Sequence, residues 1–442
     1  MAMDSERFAI RFGYGLPAGA GPEAMLAGLT GPDQAMADWP GLTLDELWPL
    51  FTEVREARRA KDKAALPKLA RQANGFALRG LQAGFARAIG STDPLRERLV
   101  AFWADHFTTA PRNQIERVLP GLLQDAAIRP HVAGRFADML QAVITHPGML
   151  VYLDQAASFG PGSRRGKRRD KGLNENLARE LLELHTLGVS AGYTQTDVSE
   201  LAKLLTGLTI RTGRGFVFDQ GQAEPGSETV LGVTYGDSGI EPVLQVLEDL
   251  SLRPETAAHL ARKLAVHFVA DDPPPTLVEA LAARWRDTGG DLLAVTETLV
   301  LHPLAAEATA QKVRQPYDFL VAALRALQVS PETVLTSGLR SVQMLILKPL
   351  EAMGQPYQQA PGPDGWSEAA ADWITPQGLA ARIDWAMAAP ERLARPLPDP
   401  RAFLERALGS QAGDTLRWAV SAAESARDGV GLVLASPEFN RR

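Results

Sequence analysis

Six polar side chains crowd one short stretch of this chain. In GLNENLARELLELHTLG (residues 172–188), Asn174, Glu175, Asn176, Arg179, Glu180 and Glu183 fall within ten positions. Glu180 and Glu183, spaced i,i+3, share one face of a helix, where two carboxylates can act as an acid/base pair or chelate a hard divalent cation. Asn174 and Asn176 bring amides able to orient a substrate, and Arg179 a guanidinium able to pair with an anion. His106, at the end of FWADHFTT and beside Asp105, is a second candidate. A histidine held by a hydrophobic wall is what general acid/base work or metal ligation uses. Trp366, in a Pro/Gly-rich loop, is a candidate wall or lid of a substrate pocket.

Each candidate also has a plainer reading. Glu175–Arg179 and Arg179–Glu183 are the i,i+4 pairs of any solvated helix face. His106 sits in the middle of an apolar face, the usual setting of a buried, hydrogen-bonded core histidine. Trp366 and Trp373 can simply pin the loop. A ferritin-like di-iron site is excluded at residues 172–188, because it needs Glu-x-x-His on one face. Here His185 falls into the apolar arc between Leu181 and Leu182 and reads as a core residue.

The elements that must position these groups are helical. The 172–188 stretch has Asn174 as N-cap, Glu175 in a first turn that favours carboxylates, and Gly188 as a left-handed stop. At 100° per residue, Leu177, Ala178, Leu181, Leu182 and Leu184 lie on one arc and Thr186 on the other. Upstream, residues 21–60 predict two short helices joined at Pro40-Gly41, and 64–90 one longer helix. Asp93-Pro94 opens a helix with a cap and a proline at N1, on which Leu95, Leu99, Phe102, Trp103 and His106 share a face. A helix over 131–155 is broken at His146-Pro147-Gly148. SRRGKRRDK (163–171), with six basic residues in nine, reads as an exposed, mobile loop, and as an anion-attracting flap over the next helix. Thr194-x-x-Asp197 is a capping-box start. Residues 207–236 change to short β-branched and aromatic runs between glycines, the pattern of one or two small hairpins. Helical periodicity returns from Pro242, with breaks at Asp271–Pro275 and Gly289-Gly290-Asp291. Residues 354–376 form a loop too long to be a mere connector.

Composition removes several functions. The chain has 442 residues, 45% apolar and 22% charged, long enough for a large core. Without cysteine it has no disulfide, zinc–thiolate site, iron–sulfur cluster or thiol nucleophile. A formal charge of −6 argues against nucleic acid as a partner. P-loop, dinucleotide-glycine, HExxH and GxSxG signatures are all missing. No stretch approaches the length of a membrane-spanning helix, and the N-terminus carries no signal-type apolar region. As written the chain reads as cytoplasmic; a trimmed export signal would leave the same sequence.

Several segments together resemble the bacterial domain-of-unknown-function family DUF1800. They are RFGYGLP (11–17), LVAFWADHFTT (99–109), MLVYLDQAAS (149–158), the 173–210 segment, KLAVHFVADDPPP (263–275), TGGDLLAV (288–295), KVRQPYDFLVAALRAL (312–327) and the Gly-Gln-Pro and PDGW…DWITP elements (354–376). They occur in the family's order and span nearly the whole chain. The resemblance carries the family's Asn-Glu-Asn-x-x-Arg-Glu pattern to Asn174, Glu175, Asn176, Arg179 and Glu180. It carries Trp-x-x-His-Phe to Trp103, His106 and Phe107, and the Gly-Trp element to Gly365 and Trp366. It implies no established activity. It does imply frequent export and a frequent sulfatase-like partner protein. The sequence departs from the family in lacking an export signal. His185 also stands where many members have an aromatic residue, and the hairpin reads QAEPGSETVLG without the histidine common in relatives.

The expectation is a mainly α-helical, multi-helix globular assembly with a small β-hairpin insertion. It forms a single unit over 1–442, with possible subdivision at 1–206, 207–240 and 241–442. The leading functional reading is an enzyme with a polar pocket between helices, acting on a hydroxyl- or anion-bearing substrate. Glu180, Glu183 and His106 are its catalytic candidates, Asn174, Asn176, Arg179 and Trp366 its substrate-binding candidates. A divalent cation on Glu180 and Glu183 is the cofactor left open. The competing reading is a non-catalytic partner or assembly protein whose polar helix face is a structural network.

Overall fold

The computed structural model describes residues 5–16, 21–169, 172–236, 239–307 and 312–442. Asp170 and Lys171 of the basic run and Pro17 of RFGYGLP lie outside them. Nearly all regular structure is helical. The four strands among the described residues make two antiparallel hairpins, Leu208–Arg211 with Gly215–Phe218 and Glu228–Val230 with Val233–Tyr235.

Helix ends follow the local chemistry. Asp93 caps Pro94–His106 by accepting from the Arg96 amide. The run over 131–155 divides into Phe136–Ile144 and Pro147–Tyr152, with His146 accepting from the Gly148 amide at the break. Thr194 and Asp197 exchange both bonds of a capping box at the start of Gln195–Leu204, and Asp291 caps Leu292–Leu301. Replacing Thr194 by Ala is expected to lower stability by about 1 kcal/mol, read as a shifted urea midpoint at unchanged slope. An unchanged midpoint would mean that the box contributes nothing here. Residues 21–60 hold three helices rather than two: Pro22–Thr30, Gln34–Asp38 and Leu44–Ala60. Gly31-Pro32 makes the additional break, because proline disfavours helix at the residue before it.

The 172–188 stretch also departs from a regular helix. One α-helical segment, Asn176–Glu180, runs directly into a π-helical turn, Leu181–His185. Asn174 still caps, its Oδ1 accepting from the Asn176 amide, but one residue before the Glu175 N-cap position. The wider turn shifts the phase of everything after it. His185 and Thr186 are buried and Leu184 is only partly so, where 3.6-residue periodicity places Leu184 inside and Thr186 outside. The Thr186 hydroxyl donates to the Leu181 carbonyl across that turn. Gly188, at φ +91°, closes the stretch as a left-handed stop.

Among the described residues, three apolar clusters organise the core. The largest gathers Phe8, Trp103, Phe136, Leu181, Phe268 and Trp285, drawn from residues 8 to 305. A second packs Phe85 with Phe319, Trp385 and Phe439, and a third packs the Leu44–Ala60 helix on Leu69, Ala73 and Leu119. The 26-residue Ala65–Gly90 helix contributes to both smaller clusters.

The Pro94–His106 helix is buried almost all round, including Glu97 and Arg98. Those charges are paired. Glu97 binds Arg129 at 3.0 Å, and Arg98 binds Asp318, which also holds Arg442 at 3.0 Å. Packing and ion pairs thus fix most of the helix surface, and it ends at Asp105 and His106.

Candidate functional site

The Pro94–His106 helix delivers Asp105 and His106 to a cavity of about 260 Å³. Its opposite wall is the Pro254–Phe268 helix, which lines it with His259, Arg262 and Lys263. The third wall is the loop bearing Asp364, Trp366 and Glu368. His259, Lys263 and His267 follow one another at i, i+4 and i+8, so all three look the same way.

Hydrogen bonds settle the state of His106. Its Nε2 lies 3.2 Å from the His185 carbonyl oxygen, which only accepts, so Nε2 carries the proton. Its Nδ1 lies 3.1 Å from the Lys263 ammonium and therefore accepts. Burial first, and Lys263 second, push this imidazole well below its ordinary range. His106 is a neutral acceptor that aims Lys263. No carboxylate among the described residues lies within ion-pair distance of the Lys263 Nζ, although Asp105, Glu368 and Asp364 act on it through space. Burial lowers the Lys263 pKa, and those three acids oppose the shift.

Asp105 is held by the loop opposite. The Trp366 amide donates to both of its carboxylate oxygens, at 3.0 and 3.2 Å. Gly365 makes that approach possible. It stands at φ +83°, and a Cβ there would lie 2.7 Å from both the Asp105 carbonyl oxygen and Oδ2. Burial raises the Asp105 carboxyl to about 7, against the Trp366 amide and Lys263, with Glu368 and Asp364 adding to the rise. A carboxyl that exchanges its proton near neutrality, beside a lysine, suits acid/base work.

The titration of Asp105 has a testable sign. Its folded pKa lies above the ordinary 3.8. Burying the anion therefore costs nothing below about pH 4 and progressively more up to pH 7, at most on the order of 4 kcal/mol. Asp105→Asn, neutral throughout and still able to accept from Trp366, should flatten the loss of stability between pH 4 and 8 in urea titrations. Parallel curves for the two proteins would refute a buried Asp105 that titrates near neutrality.

Glu368 closes the deep end. Burial acts to raise its carboxyl, but His267 and Lys312 outweigh that and hold it down at about 2. Arg98 Nη2 lies 2.9 Å from His267 Nε2, and a guanidinium can only donate. His267 therefore gives its Nδ1 proton to Glu368, and both groups are committed to structure. Asp105 and Trp366 also line a neighbouring cavity of about 130 Å³ that reaches Glu97, Gln315, Tyr317 and Gln355.

The candidates from residues 172–188 lie to one side. Arg179 reaches Glu175 at 3.5 Å, Glu183 at 3.4 Å and Gln195 at 2.9 Å. Gln195 and Ser199 in turn donate to Glu175. Asn174 donates to the Leu153 carbonyl, and Asn176 is exposed. None of these five side chains lines the cavity, whereas His106 and Trp366 do. Glu180 stands between: it is half-buried, and burial, then Glu183, then Asp364 raise its pKa. Asp364, exposed at the cavity wall, thus connects Glu180 electrostatically to Lys263. Among the described residues no group of three or more His, Asp or Glu side chains could hold a metal ion.

The basic run packs against the segment after the first hairpin. Arg165 pairs with Asp219 and its amide donates to the Gly221 carbonyl, while the Gly162 amide donates to Glu224. Gly166–Arg169 is a short helical turn. The described part of the run is therefore tethered, with Arg164, Lys167 and Arg168 exposed.

Lys263, Asp364 and Glu368 were not singled out by the sequence, although the His259-Lys263-His267 spacing was readable there. Fold and site together define a mainly α-helical protein with a small charged cavity enclosed between two helices and a glycine-hinged loop. The chain belongs to the DUF1800 family of proteins of unknown function, whose model matches residues 7–441. No curated protein and no solved structure matches it. No helix among the described residues is long and apolar enough to cross a membrane.

Proposed function

We propose that the 260 Å³ cavity is an enzyme active site for a small molecule bearing an anionic group and a hydroxyl. One observation carries this reading: the Lys263 ammonium is partly buried at the cavity wall and aimed by neutral His106, yet has no carboxylate within ion-pair distance among the described residues. A desolvated cation with no carboxylate in direct contact keeps its ammonium protons available to an anionic ligand. Asp105, poised near neutrality, serves as the base that takes a proton from the substrate, and Lys263 stabilises the charge that develops. Trp366 packs against the substrate, and Glu180, through Asp364, sets the potential at the mouth.

The test is a thermal-shift screen of small phosphorylated, sulfated and carboxylated polyols against the wild-type protein and Lys263→Met. At least one should stabilise the wild type and lose its effect in the variant. If none stabilises the wild type, or the variant responds equally, the reading fails.

The polar face of residues 172–188 favours the second reading for that stretch alone. Arg179 is shared among Glu175, Glu183 and Gln195, as in a network that ties Asn176–His185 to the Gln195–Leu204 helix. This is a structural role, compatible with either an enzyme or a partner protein.

A further inference from the structure

A second concave site lies away from the cavity. The Leu44–Ala60 helix, the segment around Ile115 and Leu119, the Pro147–Tyr152 helix and the first hairpin enclose a groove of about 490 Å³. Its floor is apolar: Trp48, Phe51, Ile115, Leu119, Val151 and Ile210. Trp48 and Phe51 meet edge to face, with ring centroids 5.9 Å apart, and both are partly exposed. The groove is concave and open on one side, and its size is ordinary for a small-molecule site, roughly 300–1,000 Å³.

Its rim is cationic. Arg55, Arg58 and Arg59 line the groove from one side of the helix, all three exposed. None of the three side chains makes an ion pair or hydrogen bond with another described residue. The one carboxylate among the lining residues, Glu116, is already occupied: Arg112 and Asn113 donate to its two oxygens. Arg58 and Arg59 gain something from the negative end of the helix dipole, but Arg55 lies a turn too early for that. In a chain of net charge −6, three uncompensated guanidinium groups beside an apolar trough call for an anionic partner.

We propose that this groove binds a single-chain anionic amphiphile, a fatty-acid-type carboxylate. The acyl chain lies along the Trp48–Phe51 floor and the carboxylate meets Arg55, Arg58 and Arg59. Charge complementarity selects this occupant over a neutral lipid, and an apolar floor with its cations gathered on one side suits an alkyl chain with a single terminal charge better than an acidic helix charged along its length.

The experiment titrates the full chain with dodecanoate below its critical micelle concentration, following tryptophan fluorescence and calorimetry, beside dodecyl maltoside and dodecyltrimethylammonium. Dodecanoate should bind saturably, and both other amphiphiles at least 10-fold more weakly. Replacing Arg55, Arg58 and Arg59 together by Gln should weaken dodecanoate at least 10-fold. These side chains are exposed and unpaired among the described residues, so the melting temperature should stay within a degree or two. Trp48→Ala should remove the fluorescence response, and Lys263→Met should leave the affinity unchanged, separating this site from the cavity. Equal binding of the three amphiphiles, equal binding by the triple variant, or no saturable binding would each overturn the proposal. So would displacement of bound dodecanoate by an acidic amphipathic helical peptide of higher affinity, which would make the groove a peptide site.

Discussion

Asp318→Ala should cost the protein 3 kcal/mol or more, among the largest losses of any single substitution. Asp318 is the buried carboxylate that accepts from Arg98 and forms an ion pair with Arg442, and it also lies within electrostatic reach of Arg314 and Arg382. The Arg98 and Arg442 side chains are each only 1% exposed. Removing the anion leaves these cations buried without compensation, a change worth about 3–5 kcal/mol when one partner of a buried pair is deleted. The loss should read as a lowered urea midpoint at constant slope. Combining Asp318→Leu with Arg98→Met should recover part of it, since removing both partners of a buried pair removes the uncompensated charge. A loss below 1 kcal/mol would mean that solvent already reaches this cluster. The prediction bears on function because Arg98 also holds His267, and through it Glu368, at the back of the cavity.

The second large effect concerns Lys263. Lys263→Met keeps the alkyl stem and deletes only the ammonium, so stability should change little. In the absence of ligand it should hold or rise slightly, because a desolvated charge with no direct ion pair is removed. Affinity for an anionic ligand should fall roughly 10- to 150-fold, since a hydrogen bond to a charged group is worth about 1.5–3 kcal/mol and the ammonium lines the cavity. Lys263→Arg should restore it only in part, because the longer, planar guanidinium presents its donors in a different geometry from the compact ammonium. Affinity within threefold of wild type in Lys263→Met would place the anion elsewhere.

Much of the fold was legible where local chemistry decides it. Asp93-Pro94, His146-Pro147, Thr194-x-x-Asp197 and Gly188 all terminate helices where their side chains or backbone preferences dictate. The β-branched runs of 207–236 form the two hairpins for the same reason. Gly31-Pro32 carried an equally local signal for the third helix of residues 21–60. The π-helical turn at Leu181–His185 was not legible, because a fixed 100° step cannot register an inserted residue. Glu97 and Arg98 read as a polar helix face and are instead buried, since their partners Arg129 and Asp318 come from 32 and 220 residues away.

The site shows the same division. His106 and Trp366 were marked by residue type and setting, and both line the cavity. The dense polar helix drew attention through composition, yet Arg179 spends its donors on neighbours within 16 residues. Lys263 looks in sequence like any helix lysine. What distinguishes it is the partner it meets, His106, 157 residues earlier in the chain. Asp105 likewise acquires its character from Gly365 and Trp366, which tertiary folding alone brings to it.

The most direct test follows the Trp366 indole in a 15N-labelled protein, assigned with Trp366→Phe, as an anionic polyol from the screen is added. Trp366 lines the cavity and Trp48 the separate groove, so the two indole resonances report on different sites. A saturable shift of the Trp366 resonance, absent in Lys263→Met and with Trp48 unmoved, is the predicted result. A Trp366 resonance that stays still while the ligand binds, or that moves equally in Lys263→Met, would contradict the assignment of this cavity as the active site.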